Sequence, residues 1–238
     1  MNIMWLFYAP DIQTDMELPQ EEAGHCLRVL RMKEGDRIRL TDGKGSFYTA
    51  VISAAQGKRC MVHIEEKEQP KPLWKGHLHI AVAPTKLMER NEWFVEKAVE
   101  IGVDEITFLN TEHSERDVIK MERIEKIAVS AMKQSEKAFM PRLNGMTRFR
   151  TLIENGFEGD KFIAHCEPGK KVHLKDAVVT GHDTLVLIGP EGDFSPAEIE
   201  MALKAGFKPI SLGLSRLRTE TAAIVAVHIM NLAGQIAQ

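Results

Sequence analysis

Leu185-Val-Leu-Ile-Gly-Pro-Glu-Gly192 and, some twenty residues on, Leu212-Gly-Leu-Ser-Arg-Leu-Arg-Thr-Glu-Thr-Ala222 are apolar runs, each broken by a glycine turn that leads into a helix. Two such bends close together expose backbone N–H and C=O groups where strands end. In open α/β sheets that is where small ligands sit. Neither half matches the dinucleotide fingerprint, so the pair points to a different nucleotide-like ligand.

Outward from these bends, strands and helices alternate. Residues 79–83, 105–109, 161–165, 184–188 and 208–212 read as strands. Helices are expected over 89–101, stopping at Gly102, over about 122–139, and over 219–237. Ser195-Pro196-Ala-Glu198 is a helix start, with a capping serine, proline at the first helical position and glutamate at the third. This alternation predicts an α/β fold with a mostly parallel sheet and helices on its faces. Residues 1–68 differ: a short helix over 20–32, then strands at 36–41, 47–52 and 60–64, with Asp42-Gly43 as a hairpin-type turn. The polar stretch Glu68-Gln-Pro-Lys-Pro-Leu-Trp-Lys-Gly76 separates the two patterns. The division is therefore a β-rich domain over 1–70 and an α/β domain over 77–238.

The chain has 238 residues, 44% hydrophobic and 27% charged, with a formal net charge of −3. That balance carries no global nucleic-acid signature, so such a role must rest on local patches. Three cysteines without CxxC spacing argue against a disulfide framework and a structural zinc site. No apolar run approaches the roughly 20 residues that span a bilayer, and the N-terminus lacks the features of a signal peptide. The expectation is a cytoplasmic protein without a membrane partner.

Residues 25–59 hold eight basic and three acidic side chains, a balance of +5, whereas residues 1–24 hold five acidic residues and no Lys or Arg. A basic β-rich module suits phosphate contact, although exposed strands also carry such residues for solubility. His25, Arg28 and Arg31 are spaced by three and could share one helix face. Lys86 and Arg90 form a second basic group, just after the first strand of the larger domain. The last helix is apolar nearly all round, which suits a core or a subunit interface, and His228 falls within it. Polar residues at its entrance, Arg218, Thr219, Glu220 and Thr221, therefore stand out. One reading is structural, with Thr219 capping the helix and Arg218 paired to Glu220; the other is a ligand site at a helix N-terminus. Glu191 could bind a cationic ligand or hydroxyls. The histidines show no metal-ligand spacing, and GxSxG, Walker and HExxH motifs are missing from the sequence.

Gly189-Pro-Glu-Gly, Leu212-Gly with Leu217-Arg-Thr-Glu-Thr-Ala222, Asn91-Glu-Trp-Phe-Val-Glu-Lys-Ala-Val-Glu-Ile-Gly-Val103 and His25-Cys-Leu-Arg-Val-Leu-Arg31 with Gly35-Asp36 together resemble the RsmE family. These are 16S ribosomal RNA (uracil-N3) methyltransferases of the SPOUT superfamily, and the resemblance covers essentially the whole chain. It implies an N-terminal PUA-like β-barrel for RNA and a C-terminal SPOUT domain whose chain forms a deep trefoil knot. It also implies S-adenosylmethionine as methyl donor, no metal, 16S ribosomal RNA of the small ribosomal subunit as partner, and a homodimer. Carried onto these positions, the cofactor residues are Leu187, Gly189, Pro190, Glu191, Gly192, Leu212, Gly213, Leu217, Arg218 and Thr221. RNA contacts are expected from His25, Arg28, Arg31, Lys86, Arg90 and Arg116. The chain departs from the family pattern at Asp193, where a second glycine is frequent, at Thr111-Glu112-His113-Ser114, and at Lys133 before Gln134.

Uracil N3 is protonated at neutral pH and is a poor nucleophile until that proton leaves. A base, positive charge near its carbonyl oxygens, or both, must favour the uridinate. N3 lies on the Watson–Crick edge, so the target must be unpaired or turned out. Arg218 is the expected uridinate stabiliser and Glu220 the base or orienting carboxylate. Other classes are a non-catalytic RNA-binding ribosome-assembly factor, a relative acting at a different RNA position, and a nucleotide-cofactor oxidoreductase. The last lacks a GxGxxG after any strand.

Overall fold

The computed structural model describes residues 4–235. The chain divides into two compact units, one of residues 1–71 with 129–140, the other of 72–128 with 141–238. The contiguous division at 70 and 77 does not contain the return of 129–140 to the first unit. Backbone hydrogen bonds fix that return: Gly45 N donates to Ala138 O and Met140 N to Gly43 O.

In the first unit, β1 (Leu6–Tyr8), β2 (Arg37–Thr41), β3 (Phe47–Gln56) and β4 (Arg59–Glu68) form one sheet in that order. β1 lies parallel to β2, and the other pairs are antiparallel. Between β1 and β2 come α1 (Ile12–Asp15), α2 (Gln20–Gly24) and a π-helical turn, His25–Val29. The single helix expected over 20–32 is thus two short segments, and Arg31 lies outside both with φ 57°. His25, Arg28 and Arg31 therefore do not share one α-helical face, because the wider π turn breaks the 3.6-residue period. Phe7, Ile38, Leu40, Tyr48 and Ile52 form the core, with Cys26 and Cys60 buried there as free thiols.

The second unit holds β5 (Leu78–Val82), α3 (Met88–Ile101), β6 (Glu105–Asn110), the start of α4 (Met121–Gln134), β7 (Arg142–Arg148), α5 (Phe149–Asn155), β8 (Asp160–Ala164), β9 (Val172–His173), α6 (Leu174–Ala177), β10 (Thr184–Ile188), α7 (Pro196–Lys204), β11 (Lys208–Ser211) and α8 (Thr219–Gly234). Its seven strands run in the order β7-β6-β5-β10-β8-β11-β9, and every pairing is parallel. β5 and β10 are buried along their whole length, as central parallel strands covered on both faces must be. α8 packs on α3, β5 and β10. α5 and α7 belong to the opposite face, where Phe149, Phe194, Ile199 and Phe207 pack on Ala81, Ile163 and Leu187. β10 is inserted between two strands that precede it, and α8 returns across β10 after β11 has formed beyond β8. This is the crossing that a knotted connection requires.

α4 ends at Gln134 rather than near Phe139, with Glu136 at φ 50°. α8 is followed to Gly234; the expected extension to Ala237 lies outside the described residues. His228, expected in a core or interface, is exposed in the single chain, which rules out the core. Among the described residues no helix is long and apolar enough to cross a membrane.

Candidate active site: a cleft between two bends

β8 pairs with β10 on one side and β11 on the other, so the exits of β10 and β11 stand two strand spacings apart, about 10 Å. Both bends, with the exit of β8 between them, line one cleft of about 950 Å³. A nucleoside-sized ligand fits that span.

At the first bend the chain folds back tightly. A Cβ on Gly189 would come within 3.2 Å of Phe194 N, so the backbone there is free of side chain for steric reasons. Asp193, at φ 63°, closes the turn. Its carboxylate accepts from Phe194 N (2.8 Å) and from Cys166 N (2.6 Å), tying the exit of β10 to that of β8. A second glycine is therefore not needed here: Asp tolerates the left-handed region and adds two hydrogen bonds. His113 Nδ1 lies 3.1 Å from Gly192 O and 3.0 Å from Asp193 O. Both neighbours are carbonyl acceptors, so Nδ1 carries the proton. Glu191 Oε1 accepts from Lys86 N (3.2 Å), joining this bend to the loop after β5. Ser195 and Glu198 form the expected capping box of α7, and the other Glu198 oxygen accepts from Glu112 N.

At the second bend Gly213 has φ 127°, a conformation that disfavours a side chain. Leu212, Gly213, Leu217 and Arg218 all line the cleft. Arg218 is the N-cap residue of α8 but makes no side-chain cap bond, and Thr219 is the first helical residue. Of the two readings of this entrance, the structural one with Thr219 as the cap does not form. The Arg218–Glu220 pair of that structural reading does not form either: Glu220 Oε1 lies 3.8 Å from Arg90 Nε, where α3 packs on α8. Helical geometry explains this, since residues two apart point to different sides of a helix.

The structure brings together at the cleft Gly189, Pro190, Glu191 and Gly192 from the first bend, the second-bend residues, and Arg90. Leu187 does not reach it; its side chain is in the core under α5 and α7, while Ile188, one residue on, lines the wall. Thr221 is likewise off the wall, with Ala222 in its place. Glu220 is 8% exposed and stands behind Arg90. Lys86 Nζ pairs with Glu115. Arg116 spends its guanidinium on Thr85 O and Lys86 O, clamping the loop that carries Lys86. His25, Arg28 and Arg31 belong to the first unit.

Two groups escaped the sequence reading. Cys166 and His165 line the cleft, and both His165 ring nitrogens are buried without a hydrogen-bond partner. Burial, then the charge of Lys171, lowers the His165 pKa and keeps the imidazole neutral. A reading of 161–165 as strand hid this residue, which lies just past the end of β8. Glu220 Oε2 is a third buried atom without a partner, so three of the five such atoms among the described residues lie at or behind this cleft. Unpaired buried polar atoms cost about 1–3 kcal/mol each, so their concentration at a cleft marks a place where a ligand completes the bonding. A bare-backbone bend at Gly189, a glycine bend at Gly213 and the neutral His165 fit an adenosyl group. Among the described residues no cluster could hold a metal ion.

Comparison with known proteins gives a consistent picture. The RNA methyltransferase domain family matches residues 52–231, and the RNA methyltransferase PUA domain matches residues 18–65. Ribosomal RNA small subunit methyltransferase E of Mesomycoplasma hyopneumoniae is 32% identical, over 93% of this chain and 96% of that protein. A crystal structure of a Porphyromonas gingivalis protein described as a probable rRNA-methyltransferase is 50% identical with TM-score 0.92, covering 97% of this chain and 98% of that one. Ribosomal RNA small subunit methyltransferase E of Neisseria gonorrhoeae, solved bound to S-adenosyl methionine, is 25% identical with TM-score 0.84, covering 96% and 97%.

Proposed function

This chain belongs to the RNA methyltransferase family, in its ribosomal RNA small subunit methyltransferase E branch, and from that premise we propose that it methylates N3 of a uridine in 16S ribosomal RNA. The observation that carries the reading is the cleft between the Gly189 and Gly213 bends, with buried unpartnered atoms of His165 and Glu220 at and behind its wall. S-adenosylmethionine, when bound there, supplies a methyl group activated by a sulfonium.

The residues of the chain do the rest. The backbone of Gly189–Gly192 and of Leu212–Arg218 holds the adenosyl group. Arg218 and Arg90, both on the cleft wall, place positive charge beside the uracil carbonyl oxygens and so favour loss of the N3 proton. Glu220 is the orienting carboxylate, acting through Arg90 rather than as the base, because it is not on the cleft wall and its Oε1 faces that guanidinium; the N3 proton passes to solvent water. The N-terminal unit takes the RNA. The protein works in the cytoplasm as a homodimer, a state supported by the half-exposed apolar stripe of α8 that includes Leu232, 58% exposed. Sedimentation of the full chain reads that state directly.

Mass spectrometry of 16S ribosomal RNA from a strain lacking the gene tests the reaction. The expected result is loss of one 3-methyluridine, restored by the intact chain. Unchanged 3-methyluridine, or no binding of S-adenosylmethionine by calorimetry, overturns it.

A further inference from the structure

Of the eight basic residues in 25–59, four are neutralised by carboxylates: Arg37 by Glu65, Arg39 by Glu68 and Glu136, Lys44 by Asp11, and Arg59 by Glu17. Among the described residues, Arg28, Arg31 and Lys33 have no such partner, and they follow one another in a single short segment. That segment is folded on itself, since Met32 N donates to Cys26 O (3.1 Å). Lys58, in the turn between β3 and β4, has no such partner either, so three of the four uncompensated cations of 25–59 lie in the one segment that follows His25.

Next to it stands an aromatic ring in an unusual place. Phe7 is 1% exposed in the core, yet Trp5, two residues earlier and on the same side of the chain, is 50% exposed. The His25 ring meets both, edge-on, at 6.5 Å from Trp5 and 6.3 Å from Phe7. One neighbouring ring can cover at most one of the two indole faces. The indole is thus held against His25, which opens the segment carrying the three free cations, while half of the ring stays open to solvent.

We propose that Trp5 is a stacking platform for an unpaired nucleobase, with Arg28, Arg31 and Lys33 receiving the flanking phosphates. Aromatic stacking on single-stranded RNA next to a basic groove is the usual way to hold bases without reading a helix. A protein partner would also cover an exposed tryptophan, but it would not need three uncompensated cations in the segment that follows His25. The inference rests on the reading of the N-terminal unit as the RNA-holding part and adds which nucleotide state it selects.

The test uses the full chain and a labelled single-stranded RNA oligonucleotide, alone and annealed to its complement. Trp5→Ala is expected to weaken single-strand binding by roughly 5- to 150-fold, to leave duplex binding and calorimetric S-adenosylmethionine binding unchanged, and to be rescued by Trp5→Phe. Replacing Arg28, Arg31 and Lys33 with Gln should flatten the salt dependence of single-strand binding by roughly 0.7 per residue; Trp5→Ala should leave that slope alone. Equal affinity of Trp5→Ala and wild type for the single strand overturns the proposal. So does an equal loss on both RNAs, or altered self-association with RNA affinity intact. If the wild type binds no RNA at all, the underlying reading of the unit fails too.

Discussion

At the carboxyl ends of β8 and β10 and the entrance of α8, His165 and Glu220 keep buried polar atoms without a protein partner. At the amino ends of β5 and β6 the polar side chains saturate one another. His77 Nε2 meets Glu105 Oε2 at 2.9 Å, His79 Nε2 meets Thr107 Oγ1 at 2.8 Å, and Asn144 Nδ2 donates to both Glu105 Oε1 and Thr107 Oγ1. The two ends belong to the same sheet and hold similar residue types, yet one is closed and the other open. A closed network stabilises the fold. An open one costs stability until something binds, and so it marks function.

Substitutions at the two ends should separate these roles. The largest effect is expected from Arg218→Ala: turnover on ribosomal RNA, followed with labelled donor, should fall by about 10²–10³-fold. Its unfolding free energy should stay within about 0.5 kcal/mol of wild type, since Arg218 is exposed. A large stability loss with normal turnover would erase the contrast.

Acid should act at the closed end. Burial pulls the His79 pKa from 6.5 down to about 4, with Glu105 opposing. The unfolded chain therefore takes up this proton first as pH falls. Stability is full above about pH 6.5, declines on acidification, and levels off near pH 4 after a loss of about 3 kcal/mol. Burial pushes the Glu105 carboxyl up, but His79, His77 and Asn144 outweigh it and leave the pKa lowered. Its contribution is also lost on acidification, at lower pH. Denaturant melts across this range should show the slope, and His79→Gln should flatten it.

Glu105→Gln, read in the same melts, is expected to remove about 1–3 kcal/mol because it breaks a shared acceptor. Methylation measured under folding conditions should be unaffected; a fall in turnover would mean that the two ends are coupled. The smallest effect is expected from Ser195→Ala, about 1 kcal/mol from loss of the α7 cap. A thermal melt measures it, and a loss of donor affinity as well would show that the cap also holds the first bend in shape.

Much of this molecule was legible in order along the chain. The buried runs of β5 and β10, the Ser195 capping box, the stop at Gly102 and the two glycine bends each announce themselves through neighbours within a few residues. β7 did not, because Arg142–Arg148 is a polar edge strand with no apolar run to mark it. The π-helical turn at His25 was hidden by a pattern that looks α-helical. His165 was hidden because it follows a strand without a turn signal.

The chain by itself determined the central strands and the longer helices, where the backbone bends, and which family it resembles, because periodicity, caps and turn residues act locally. Only tertiary packing decided that β10 enters between β5 and β8, that the two bends therefore flank one cleft, and that Glu220 faces Arg90 instead of Arg218. Those outcomes depend on which surfaces far apart in sequence bury one another. Local rules carry no information about that choice.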